Sequence, residues 1–416
     1  MTANKLHKII LTSAILLVLF RLLIFGLLTL FLGASQELAR YFVFLPVLIV
    51  MSFYCCTLKK IQTYQERLFS ILITVTIFVG VISILALKIF YSEIDLLSII
   101  IDMSRYNLFL IFPLLLLRLP LNKDDYRGIL DTVAFVVLSV GGLLMFFEAF
   151  GYFLEVITFE QTYNFIGAEA YKLRETVHRP LGLLGDCSSS GILLSACTVY
   201  YFVQKISLPN SRSLSYNKIK YSWTPIIIGF FATILAAALM PILIMLIVML
   251  YATFKYTKVN HIVAYILFLT VFTFLVLRYA PQNPYEYLMG YIENIPDVAS
   301  IYLPSLSWAE FPFFEYNKNL EMNAGEFHFF NIMVTYGFLP FIPWMLFIIS
   351  PLAKILRLIP VWYQDRAPMM LCLVFLLAIL HYSGLERWGS NYVYILALCM
   401  LFVSNGEERR LKQTNL

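Results

Sequence analysis

Apolar runs, most of them about 20 residues long, follow one another along the chain with short polar connections between them. That is the length a helix needs to cross the hydrocarbon of a bilayer. The pattern predicts spans over 9–32, 41–58, 68–90, 96–117, 128–150, 181–204, 223–237, 239–255, 262–278, 327–350, 367–385 and 390–403. In lipid each backbone polar group must bond within its own segment, so the spans are helices. Barrel strands alternate apolar and polar faces, and these runs do not. The expected fold is all-α: one polytopic transmembrane domain over 1–416 with about twelve helices.

Charge decides the one ambiguous stretch, Trp223 to Phe254, which reads as one tilted helix or as two short ones meeting near Ala236 to Pro241. With two, both termini are cytoplasmic and 20 of the 30 lysines and arginines fall in cytoplasmic connections. Merging them would move the later basic loops outside, against the positive-inside bias. Two long loops then lie outside, 151–180 and 279–326. The second is rich in aromatic residues, and Tyr285, Leu288, Ile292 and Ile295 have the spacing of a short interfacial helix. The segment from Ile9 to Leu32 is longer than a signal-peptide core and is expected to stay as the first span. No internal repeat of the kind that builds transporter halves is evident.

Composition narrows the class. The chain is 61% hydrophobic and 13% charged, with mean hydropathy +0.81, too few charges to clothe a soluble surface. The cysteines (55, 56, 187, 197, 372, 399) all fall in predicted spans with no metal-ligand spacing, so neither a disulfide framework nor a metal is expected. The net charge of +5 is spread over short loops and does not indicate nucleic acid.

The chemistry concentrates on the outer face. Tyr171 to Gly191 packs Lys172, Arg174, His178 and Arg179 together, then runs through Pro180 and glycines into Asp186 and three serines. Guanidinium groups hold phosphate oxygens bidentately and stabilise charge on a leaving diphosphate without a metal. Asp186 either orients Arg179 or bonds a sugar hydroxyl, or pairs with Arg21 or Arg105 of another helix; the serines read as helix-packing residues. Glu326 and His328, at the entry to the tenth span, are candidate general bases. Arg278, at the outer end of the ninth span, is a further phosphate contact or a snorkelling side chain. Asp102 and Arg105 share a helix face.

These features resemble the O-antigen polymerase and O-antigen ligase superfamily of polytopic membrane glycosyltransferases. The resemblance covers the topology. In residues it rests on Arg179-Pro180-Leu181-Gly182, on His328-Phe329-Phe330-Asn331 with Tyr336-Gly337, on Leu380-His381-Tyr382, and on the Arg174 to Gly185 spacing. The second loop lacks arginine, and Leu235 to Pro241 lacks the charged bend common in the superfamily. The resemblance implies a GT-C-like fold in a bacterial inner membrane and an inverting, metal-independent transfer needing no cofactor. The donor is a glycan on undecaprenyl diphosphate. The acceptor is the next lipid-linked repeat unit (polymerase) or lipid A-core (ligase). Arg174, Arg179, Arg278 and His178 would hold the diphosphate, with Lys172 and Asp186 in support, and His328 or Glu326 would activate the acceptor. Membrane lipids and a chain-length regulator protein are the other partners implied. The rival reading is a flippase for the same lipid-linked oligosaccharide.

Overall fold

The computed structural model describes residues 3–32, 44–54, 63–90, 110–158, 161–162, 180–207, 222–236, 238–257, 338–379 and 390–403. Among them every regular element is helical. In chain order they are α1 (Ala3–Leu19), α2 (Arg21–Leu32), α3 (Leu45–Tyr54), α4 (Tyr64–Phe90), α5 (Lys123–Val136), a π-helical turn (Val137–Gly141) and α6 (Gly142–Phe153). Then follow α7 (Cys187–Ser207), α8 (Trp223–Leu235), α9 (Leu239–Tyr256), α10 (Phe338–Ile349), α11 (Arg366–Ile379) and α12 (Ser390–Phe402).

Tyr64–Ile82, Lys123–Phe153 and Leu239–Tyr256 are long and apolar enough to cross a membrane. A fourth crossing follows if Lys5–Leu19 and Arg21–Phe31, bent by 69°, are one broken span. Their outward side chains are apolar: Phe78 is 65% exposed and Phe147 70%. Such a surface suits lipid, where association depends on close packing rather than on expelling water. Small residues supply that packing. Gly229 of α8 sits against Leu138 and Thr198, Gly142 against Ile228, and Gly191 against Pro241 and Ala236.

Local sequence explains where the long helices begin. Asn122 and Asp125 form a reciprocal capping box ahead of α5, with bonds of 2.9 and 3.1 Å. Thr63 and Glu66 do the same for α4 at 3.2 Å each way. Each box satisfies two backbone donors that a helix start would otherwise leave open.

Several boundaries differ from the sequence expectation: α4 begins at Tyr64 rather than 68 and α5 at Lys123 rather than 128, and two differences bear on the site. The apolar run 9–32 is not one straight helix but breaks after Leu19. Arg21 stands at the break, buried, and its guanidinium donates to Val18 O at 3.0 Å in the last turn of α1. The expected span 181–204 starts six residues late, at Cys187, because 181–186 form a turn with Gly182 and Gly185 at φ 65° and 69°.

The stretch 223–256 does divide into two helices. Trp223 stacks near Phe202 with 6.4 Å between ring centroids, and Gly229 meets Thr198, so α8 runs antiparallel to α7. Ser195 Oγ then donates to Pro241 O at 3.0 Å, and α9 runs alongside α7 in the same direction. α8 and α9 therefore run in opposite directions.

One end of this bundle collects the cations. Lys123 and Lys354 both pair with Asp365, the second at 2.7 Å, and all three are buried. Arg127 donates to Gln204 at 2.8 Å. Tyr363 donates to Ser207 O, and the Arg366 guanidinium lies 5.0 Å from the Tyr256 ring and 4.9 Å from that of Tyr363. Burial pushes the Tyr363 hydroxyl above its ordinary pKa, against the Arg127 and Arg366 charges that pull it down. The Lys8 side chain fills the space beside Gly128. Among the described residues, every lysine and arginine except Arg21 and Lys88 lies on one of these helix ends or connections.

Candidate functional site

At the other end lies the turn leading into α7, Pro180 to Asp186. Glu148 of α6 is 25 residues beyond Lys123, roughly 37 Å along the helix at 1.5 Å per residue. The π-helical turn lies between them. A π turn inserts one residue into the helical register and so rotates everything after it. Gly141, the last residue of that turn, packs against Leu183, and Met145 faces Gly182.

Glu148 joins the two segments. Its Oε1 accepts from Leu181 N at 2.7 Å and its Oε2 from Gly182 N at 3.0 Å. Tyr152, one turn on, donates its hydroxyl to Oε1 at 2.6 Å. An ionisable group within an apolar helix is costly and has to be matched by hydrogen bonds. Bonds to a charged group contribute about 1.5–3 kcal/mol each, and Glu148 makes three. Its identity was open to a sequence reading: it is the one acidic residue in Gly141 to Phe153. The expectation from sequence passed over it because the surrounding run reads as an ordinary span.

The turn is braced from within as well. Ser190 Oγ donates to Leu181 O at 2.8 Å and accepts from Leu184 N at 3.1 Å. Leu181, Leu183 and Leu184 are buried. Of the three serines, Ser190 thus ties the turn rather than packing helices.

Asp186 also has a structural role that the sequence reading did not name. It is the cap of α7: Oδ2 accepts from Ser189 N at 2.8 Å and from Ser189 Oγ at 2.6 Å. A carboxylate here meets the free N–H groups and positive end of the helix. Asp186→Ala is expected to cost about 1 kcal/mol of stability, read as a small drop in the thermal unfolding midpoint in detergent. Lys172, Arg174, His178, Arg179, Arg278, Glu326 and His328 lie outside the described residues, as do Asp102, Arg105 and His381.

A cavity of about 380 Å³ opens beside the turn. Leu22 and Leu23 of α2 line it with Leu144 and Phe147 of α6, and Glu148, Gln161 and Thr162 are its polar residues, so it is mostly apolar. Among the described residues no group of histidine, cysteine, aspartate and glutamate is arranged to hold a metal. Compared with known proteins, the chain matches no family model, and no curated protein matches it.

Proposed function

We propose that this chain is a polytopic inner-membrane glycosyltransferase of the O-antigen polymerase kind. It would transfer a glycan from undecaprenyl diphosphate to the next lipid-linked repeat unit at the periplasmic face. In this reading it has twelve spans, both termini in the cytoplasm, and two long periplasmic loops, 151–180 and 279–326. One observation carries the proposal. The Pro180 to Asp186 turn is built at the bundle end remote from the lysine and arginine cluster. By the positive-inside bias that cluster marks the cytoplasmic side, so the turn belongs to the outer side. Yet the residues that run into it include Lys172, Arg174, His178 and Arg179. Cations on the side that most of the other lysines and arginines avoid call for an anion at the membrane surface, and the diphosphate of a lipid-linked glycan is the one this reading assigns.

The roles follow from side-chain chemistry. Arg174 and Arg179, with His178 and Arg278, hold the diphosphate and stabilise the charge that builds as it leaves. His328 or Glu326 takes the acceptor's proton. Lys172 adds to the positive field, and Asp186 supports the site by fixing the start of α7.

Arg179→Ala and His328→Ala are each expected to abolish long-chain polysaccharide in cells while leaving single repeats. Normal ladders from both would refute the proposal. Purified protein given lipid-linked repeat units and no energy source should lengthen them. Transfer to lipid A-core instead would identify a ligase, and movement of the lipid between leaflets without bond formation would identify a flippase.

A further inference from the structure

We infer that the bundle end bearing Arg357 and Arg366 is a binding site for the phosphate headgroup of an anionic phospholipid in the leaflet on that side. The inference stands apart from the proposed transfer reaction and uses none of the groups given a role in it.

Depth comes first. Tyr256 is the last residue of α9, an 18-residue helix apolar enough to cross a membrane. At about 1.5 Å per residue α9 is about 27 Å long, close to the thickness of the hydrocarbon. Its end therefore lies at the level of the headgroups. The Arg366 guanidinium, 5.0 Å from the Tyr256 ring and 4.9 Å from that of Tyr363, shares this depth. The rings attract its charge but leave its N–H donors without conventional acceptors. No described residue accepts from them.

The local charge is also unmatched. Asp365 is the one carboxylate in 350–366, and Lys123 and Lys354 share it. Lys255 adds to the surplus, with Nζ 5.9 Å from the Tyr256 ring. The Arg357 charge reaches the Tyr256 hydroxyl, and that of Arg127 reaches the Tyr363 hydroxyl. Two hydroxyls there, Tyr256 Oη and Ser207 Oγ, are buried and have no hydrogen-bond partner among the described residues. Arginines and hydroxyls together suit phosphate oxygens.

The connection after α10 says which phosphate. Its helical turn, Leu352–Ile355, closes with Arg357 N donating to Lys354 O at 3.1 Å and Leu358 N to Ala353 O at 2.8 Å. Arg357 then sits at φ 59°, the left-handed position where glycine is usual because a side chain there is strained. On either side of this exposed arginine, Leu356 and Leu358 face outward, Leu358 at 76% exposure, and Trp362 is exposed nearby. In water this would be a bare apolar patch. At a membrane surface the leucines enter the acyl boundary, the tryptophan sits at the interface, and the arginine reaches the phosphates. A soluble anion would leave the leucines uncovered, whereas a phospholipid satisfies both parts.

The test titrates full-length protein in non-ionic detergent with dilauroyl phosphatidylglycerol, dilauroyl phosphatidylcholine and inorganic phosphate, and reads bound lipid by native mass spectrometry. The two lipids share a phosphate and tails, but only the first has net charge. Wild-type protein is expected to bind phosphatidylglycerol about tenfold tighter than phosphatidylcholine. Arg357→Gly and Arg366→Gln should each weaken phosphatidylglycerol binding about fivefold, and together about twenty-five-fold, with phosphatidylcholine binding unchanged. Arg357→Gly relaxes the backbone, so it should hold or raise the unfolding midpoint while losing affinity, an outcome that a purely structural arginine would not give. It decides alone if the glutamine variant fails to fold. Equal affinity for the two lipids, or wild-type affinity in Arg357→Gly, overturns the inference. Displacement of phosphatidylglycerol by an equal concentration of inorganic phosphate also overturns it, because the site would then belong to a soluble anion.

Discussion

Replacing Asp365 with alanine is expected to destabilise the folded chain by about 3–5 kcal/mol, read as a lower midpoint of thermal unfolding in detergent. The carboxylate is fully buried and both of its oxygens are engaged. Oδ1 pairs with Lys123, Oδ2 with Lys354 at 2.7 Å, and Oδ2 also accepts from Trp362 N at 3.0 Å. Deleting it strips one shared counter-charge from two buried ammonium groups, and breaking a buried pair costs far more than the pair contributes over an apolar substitute. Lys354→Met is the informative contrast. It removes one ammonium but leaves Lys123 on Asp365, so it is expected to cost well under half as much. Equal losses from the two variants would mean that the lysines do not share the carboxylate in solution.

This cluster also shows how the chain ends of one face are tied. Lys123 begins α5, Lys354 lies in the connection after α10, and Asp365 immediately precedes α11. The start of α5 is thus joined, at one buried point, to the connection between α10 and α11 more than 200 residues later. Next to it, Tyr200 donates to Asp131 at 2.6 Å and Tyr201 to the Asp131 carbonyl at 2.8 Å, tying α5 to α7. The same region therefore holds both the positive charge and a set of buried polar bonds between helices.

Much of the helical plan was legible in the sequence because it rests on local composition. Charge balance alone divided Trp223 to Phe254, and the stretch does form two helices, Trp223–Leu235 and Leu239–Tyr256. What escaped was whatever depends on a partner far along the chain. Glu148 looks like an intrusion in an apolar run until Leu181, 33 residues later, is placed against it. The break in the first apolar run had one visible sign, Arg21, but hydropathy cannot tell a charge that bends a helix from one that pairs across it. The π-helical turn leaves no mark in composition at all. The start of α7 was missed for a different reason. Asp-Cys-Ser-Ser at the entry to an apolar run is a helix-start signature, and two glycines just before it favour a turn. The apolar character of Leu181, Leu183 and Leu184 drew the expected span over both signals. The cations of the first outer loop, and Glu326 with His328, lie outside the described residues, so for them the sequence remains the only guide.

The second large effect is expected at Gly182. Its φ of 65° is left-handed, and a side chain there costs about 1–2 kcal/mol for backbone strain alone. A Cβ would also stand 2.4 Å from Met145 Sδ and 2.9 Å from both Cβ and Oγ of Ser190. The methionine is unbranched and can swing aside. Ser190 cannot, because its hydroxyl is held between Leu181 O and Leu184 N. Overpacking of this kind adds about 1–3 kcal/mol. Gly182→Val should therefore lose about 2–5 kcal/mol, with Gly182→Ala somewhat less. Gly185 shares the left-handed backbone at φ 69°. Asparagine tolerates that conformation, so Gly185→Asn should cost less than about 1 kcal/mol. A β-branched residue at both glycines separates the two terms: if Gly185→Val is as damaging as Gly182→Val, backbone shape alone governs the turn. If Gly182→Val is the worse by several kcal/mol, the contact with Ser190 governs it, and the turn is held from the α7 side as firmly as from Glu148.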